Sequence, residues 1–139
     1  MYYKCRNFEI YELVDSVTYS KFGEEAWMFF NTNALKALDG IREYFGTPVT
    51  VNTWKNGGNF EFRGLRPISS TLGATYSQHR FGNAFDCDIK GKTAIEVRTE
   101  ILNNKNNELF KYINCLEANV TWVHFDCRNI TDRIRVVYP

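Results

Sequence analysis

The chain has 139 residues, 44% hydrophobic and 16% aromatic, which suits one folded domain with a real core and excludes a disordered segment. Acids and bases nearly cancel, leaving a formal charge of +1, so no electrostatic footprint for nucleic acid or an anionic membrane surface is expected. The N-terminus, Met1-Tyr2-Tyr3-Lys4-Cys5-Arg6, lacks the apolar core of a signal peptide, and no stretch is long enough to span a bilayer. The expectation is synthesis in a cytoplasm, where thiols stay reduced. Four cysteines (Cys5, Cys87, Cys115, Cys127) include no Cys-x-x-Cys pair, which argues against a cysteine-type zinc finger.

Tyr11 to Phe45 reads as mostly helical. Leu35, Leu38, Ile41 and Phe45 fall on roughly one helix face, and Gly46 with Pro48 supplies a stop. Val49 to Trp54 is β-branched and bounded by breakers, so a strand is expected there. A long loop follows, from Lys55 to about Tyr76, with Gly57, Gly58, Gly64, Pro67 and Gly73; loops of that length in a small domain usually carry function. Ala84 to Ile89 is expected as a strand. Thr93-Ala94-Ile95-Glu96 has the form of a capping box opening a helix to about Leu102, and a short helical turn is expected over Glu108 to Tyr112. Val120 to Cys127 and Ile134 to Tyr138 complete the strands, with Arg128, Arg133 and Arg135 read as decoration of strand surfaces. The sum is a single α+β domain over residues 1–139, with a small, mainly antiparallel sheet packed with helices.

The chain holds only two histidines, His79 and His124, each near a carboxylate. Strand alternation sorts their surroundings. In the segment ending at Cys127, His124 and Asp126 share one face while Val123, Phe125 and Cys127 share the other. In the Ala84 strand, Asp86 and Asp88 point together and Phe85, Cys87 and Ile89 point the opposite way. If these strands are neighbours, Asp86 lies beside His124, and His79 reaches the same point from its loop, with Gly82 easing the bend. Two imidazoles and a carboxylate are the ligand set of a catalytic zinc that keeps a fourth position for water, although manganese or iron also accepts such a set. Cys87 and Cys127, on the apolar faces, read as small buried hydrophobes rather than ligands.

Ser77-x-His79-x-x-Gly82-x-Ala84-x-Asp86, followed by Trp122-Val123-His124-x-Asp126-x-Arg128, resembles the zinc D-alanyl-D-alanine peptidases. That family includes bacterial carboxypeptidases and phage endolysins and shares its fold with the hedgehog signalling domain; the likeness is to small phage-encoded members. Arg63-Gly64-Leu65-Arg66-Pro67 is similar to the stretch that precedes the first zinc ligand in that family. The resemblance implies a hedgehog/DD-peptidase fold and one zinc per chain held by His79, Asp86 and His124. It also implies Ser77 and Arg66 at the substrate, the arginine near its carboxylate or carbonyl. Hydrolysis of peptidoglycan stem peptides or cross-links would follow, as carboxypeptidase or endopeptidase. For a phage-encoded chain it implies host cytoplasm with release at lysis, or association with the virion.

The chain departs from the pattern at the catalytic acid. Many members of the family carry it three residues before the second histidine, where this sequence has Thr121. Proton transfer needs a carboxylate. Glu117 is the first candidate, with Asn119 turning the chain so that it folds back over the metal. Asp126 is the second, with orientation of a ligand histidine as its other role, and Asp88 is the third. Trp54 and Trp122 are candidates to line the cleft, and the 57–76 loop to hold the peptide. Two alternatives remain open: an inactive binding or virion structural module of the same fold, and a structural metal site closed by Asp126 or Asp88.

Overall fold

A computed structural model describes residues 1–139. The chain forms three α-helices, α1 (Ser16–Phe22), α2 (Thr32–Phe45) and α3 (Ala94–Asn103), and five strands, β1 (Val49–Thr50), β2 (Ala84–Ile89), β3 (Cys115–Glu117), β4 (Val123–Asp126) and β5 (Arg135–Val137). The strands make one sheet in the order β1-β2-β4-β3-β5. Its pairs are antiparallel except β3 with β5, which run parallel. The α+β class and the mostly antiparallel sheet match the reading of the sequence. No helix is long and apolar enough to cross a membrane.

Each helix begins where a side chain accepts the otherwise free N–H groups of its first turn. Asp15 accepts from Thr18 N at α1 and Asn31 from Asn33 N at α2. At α3 the expected capping box is present, Thr93 and Glu96 exchanging hydrogen bonds at 3.0 and 3.1 Å. Helix α2 ends on Gly46 in the left-handed conformation. The stretch Tyr11 to Phe45, read as mostly helical, is so in separate pieces, a 3-10 segment over Gly23–Phe29 lying between α1 and α2.

Helix α2 turns Leu35, Leu38 and Ile41 into the core, where they join Phe85 and Cys87 of β2, Val123 and Phe125 of β4, and Val97 and Ile101 of α3. Phe85 is stacked on Phe30 at 5.4 Å between ring centres and lies 5.8 Å from Phe125. Burial of one such side chain contributes about 1.5–3 kcal/mol, so the apolar sides of β2 and β4 hold the sheet against the helices. The polar sides face away from this core, with His124 and Asp126 themselves buried and Asp88 exposed.

Two strands differ from expectation. β1 stops at Thr50 because the chain then turns away to Asn52, whose N–H donates to Glu12 O at 2.9 Å and whose side chain donates to Val14 O at 3.1 Å. Trp54 falls in a 3-10 turn. β3 was not foreseen: only three residues long, Cys115–Glu117 offers too short a run for alternation to show. Asp39 has a role that helix periodicity does not reveal. It lies wholly inside α2's packed face, where its carboxylate accepts from Tyr3 Oη, Arg6 N and Asn7 N and so ties down the N-terminal segment.

Candidate metal centre

The antiparallel register of β2 and β4 sets Asp86 directly opposite His124, and that of β3 and β4 sets Glu117 opposite the same histidine. Side chains at paired positions share a face. A row of three polar groups therefore crosses the sheet from Asp86 through His124 to Glu117, behind which Phe85, Leu116 and Phe125 are fully buried.

His79 joins the row from a 3-10 turn over Gln78–Phe81. Ser77 caps that turn, its Oγ accepting from His79 N at 3.3 Å. Gly82 closes it at φ 69°, and a Cβ there would lie 2.1 Å from Phe29 O. Only glycine meets both demands. The His79 ring is fixed by Nδ1–H donating to Gly64 O at 2.9 Å, which leaves Nε2 facing Asp86 Oδ2 at 3.2 Å. The other oxygen of Asp86 is 2.8 Å from His124 Nδ1. His124 Nε2 in turn faces Asp126 Oδ2 at 2.8 Å.

Each imidazole thus has one nitrogen tied to an oxygen behind it and the other turned toward Asp86. The donor atoms of His79, Asp86 and His124 all lie within 4.8 Å of one another. Two nitrogens and a carboxylate oxygen, with the outer ring nitrogens already engaged, fit a divalent cation such as zinc, whose histidine ligands almost always carry such a partner. The protein therefore presents a group able to hold a metal ion.

Charge is concentrated here. Burial opposes ionisation of Asp86, yet hydrogen bonds and charge from His124 and His79 outweigh it and hold this carboxyl well below the usual range. Burial likewise disfavours the His124 imidazolium, but the carboxylates of Asp126 and Asp86 reverse the balance and push its pKa up to about 9. Burial pushes the Asp126 carboxyl up, and its bonds to Arg128 and His124 bring it below its ordinary value.

The row opens into a cleft of about 380 Å³ lined by His79, Asp86, Glu117, His124, Arg66 and Trp122, among others. Glu117 thus belongs to the cleft, and Asn119, at φ 60°, makes the turn that follows it. Asp126 does not line the cleft. It is fully buried behind His124, gripped by Arg128 at 2.7 and 2.8 Å, a place from which a carboxylate orients the ring. Asp88 lies outside, paired with Arg63 at 2.9 Å. Ser77 and Arg66 come together: Arg66 Nη1 donates to Ser77 Oγ at 3.1 Å, and burial lowers the pKa of this guanidinium. Its Nε is buried without a hydrogen-bond partner.

Trp122 borders the cleft, but Trp54 does not: its indole N–H donates to Val14 O at 2.8 Å beside Tyr19. Of the C-terminal arginines read as strand decoration, only Arg135 lies in a strand. Arg128 holds Asp126, and Arg133 donates to the backbone carbonyls of Ile113, Lys105 and Phe110. Gly73, Ala74 and Tyr76, from the 57–76 loop expected to hold a peptide, border the cleft, whereas the place of Arg128 there is set by loop closure and not by periodicity. Compared with protein-family models, curated proteins and solved structures, the chain matches none.

Proposed function

We propose that this chain is a zinc-dependent metallopeptidase of the hedgehog/DD-peptidase type that hydrolyses peptide bonds of peptidoglycan. It takes stem peptides or cross-links as substrate and serves cell-wall lysis, as in phage endolysins. The observation that carries this reading is the cross-strand row Asp86–His124–Glu117 with His79 beside it. It combines a ligand trio with a carboxylate that borders the same cleft and is not one of the three.

His79 Nε2, an oxygen of Asp86 and His124 Nδ1 would hold the ion, with Gly64 O and Asp126 fixing the two rings from behind. A zinc ion held there would supply Lewis-acid chemistry, polarising the scissile carbonyl and acidifying the attacking water. Glu117 takes a proton from the attacking water at a carboxylate oxygen and returns it to the leaving amine nitrogen. Thr121, in the position where many members of the resembled family keep their acid, cannot do this. Arg66, a planar cation on the wall of the cleft, offers its guanidinium to the substrate's carboxylate or carbonyl.

The test is metal analysis of the purified protein by mass spectrometry, in wild type and His79→Ala, followed by digestion of purified peptidoglycan. About one zinc per chain in wild type, lost in the variant, with release of stem-peptide fragments, supports the reading. A folded protein that takes up no zinc when it is supplied sinks it. Zinc uptake without any cleavage favours a binding or virion structural module.

A further inference from the structure

The loop between Arg66 and Ser77 forms one wall of the cleft through Gly73, Ala74 and Tyr76, yet little of its own structure holds it there. Ile68 is 89% exposed and Tyr76 81% exposed, with Leu72 more than half exposed, so burial of apolar surface contributes little to its fixation. Its backbone closes just two turns, Ser70 N to Pro67 O and Ser77 N to Ala74 O. A segment with so few buried contacts and internal bonds belongs to the part of a protein that opens most easily.

One side chain compensates. Arg80 follows His79 in the capped turn, and its guanidinium donates to five backbone carbonyls of this loop. Nε reaches Ala74 O at 3.2 Å, Nη1 reaches Pro67 O and Ile68 O at 3.2 and 3.1 Å, and Nη2 reaches Ser70 O and Leu72 O at 2.6 and 3.4 Å. A guanidinium carries five N–H groups in a fixed plane, so one rigid group gathers carbonyls that would otherwise point to solvent. The anchor is held from its own side of the chain: its neighbour His79 is tied to Gly64 O and accepts Arg66 N at 3.2 Å through its carbonyl.

The gathered loop has a consequence for Arg66. Gly73 sits so close to it that a Cβ would lie 2.5 Å from Arg66 Nη1. The loop therefore closes the space on one side of that guanidinium while Ser77 Oγ holds it on the other. We propose that Arg80 is a positioning residue: by clamping the carbonyls of residues 67–74 it preforms the cleft wall and fixes Arg66 for the substrate. The inference rests on the peptidase reading for the identity of the substrate, but the clamp itself does not.

The experiment compares wild type, Arg80→Ala and Arg80→Lys as zinc-loaded full-length proteins. Hydrogen exchange of the amides of residues 67–76 is expected to accelerate about tenfold or more in Arg80→Ala, with β2 and β4 unchanged. Arg80→Lys keeps the charge but offers one compact ammonium, so intermediate exchange is expected, and this variant carries the test if the alanine protein fails to fold. On a synthetic peptide ending in D-Ala-D-Ala, KM is expected to rise about tenfold with kcat held within about twofold. Unchanged exchange in both variants overturns the clamp, and a fall in kcat at constant KM overturns the positioning role. If zinc-loaded wild type cleaves neither this peptide nor purified peptidoglycan, the peptidase reading fails and exchange alone decides the clamp.

Discussion

Asp126 Oδ2 stands 2.8 Å from His124 Nε2, and Arg128 grips the same carboxylate through Nε and Nη2 at 2.8 and 2.7 Å. The ring of His124 therefore cannot rotate without breaking a charged chain that ends at a partly buried arginine. Its Nδ1 is aimed at Asp86 as a result. Asp126→Asn keeps the shape but weakens the acceptor, and the expected outcome is a loss of zinc affinity of about 10–100-fold. Competition with a fluorescent chelator measures it. Unchanged affinity with unchanged folding removes Asp126 from any role in holding the ring.

On the peptidase reading, Glu117 and His79 separate chemistry from metal binding. Glu117→Gln removes the proposed proton carrier and leaves the trio His79, Asp86 and His124 intact. Hydrolysis is expected to fall by about 10²–10⁴-fold, the usual worth of general acid–base catalysis, at undiminished zinc content. His79→Ala is expected to lose both. Should Glu117→Gln retain full activity, another group must carry the proton, and Asp126, buried behind the ring, is a poor substitute.

Gly82 joins the turn that carries His79 to the rest of the fold. At φ 69° with Phe29 O 2.1 Å from the place of a Cβ, Gly82→Ala meets a backbone clash and a strained dihedral together. The expected cost is about 2–4 kcal/mol, combining the usual strain and overpacking penalties. Urea denaturation of the metal-free protein reads it directly, and zinc affinity is expected to fall as well because His79 rides on that turn. A variant as stable as wild type means that the turn relaxes freely.

The site was legible where a short-range rule applied. Alternation along Ala84–Ile89 and Val123–Cys127 separated Asp86 and His124 from Phe85 and Phe125, and the structure pairs those two polar residues across adjacent strands. Spacing also foretold the capping box at Thr93 and the stop at Gly46. What stayed hidden depends on contacts distant in sequence. β3 is held by partners on both sides rather than by its own pattern. Arg80 reads as one more surface cation until the loop folds around it, and Asp39 reads as a polar residue on a helix until the N-terminal segment closes over it. In each case a polar group's role is set by which carbonyls or amides arrive from elsewhere, and local periodicity carries no record of that.

The thiols give the fold an alkaline limit. Burial pushes Cys115 and Cys127 up to about 11, while thiols of an unfolded chain titrate near about 8.5. The folded state thus keeps protons that the unfolded state releases. Their contribution to stability is fully present below about pH 8.5 and is lost as pH rises through about 11. Denaturation by urea under reducing conditions, between neutral pH and pH ~10.5, is expected to show this loss. Because tyrosines also titrate there, the decisive comparison is with Cys115→Ala and Cys127→Ala, each of which is expected to lose less stability than wild type over the same interval. Parallel pH profiles for all three proteins would mean that these thiols ionise as readily in the folded chain as in the unfolded one.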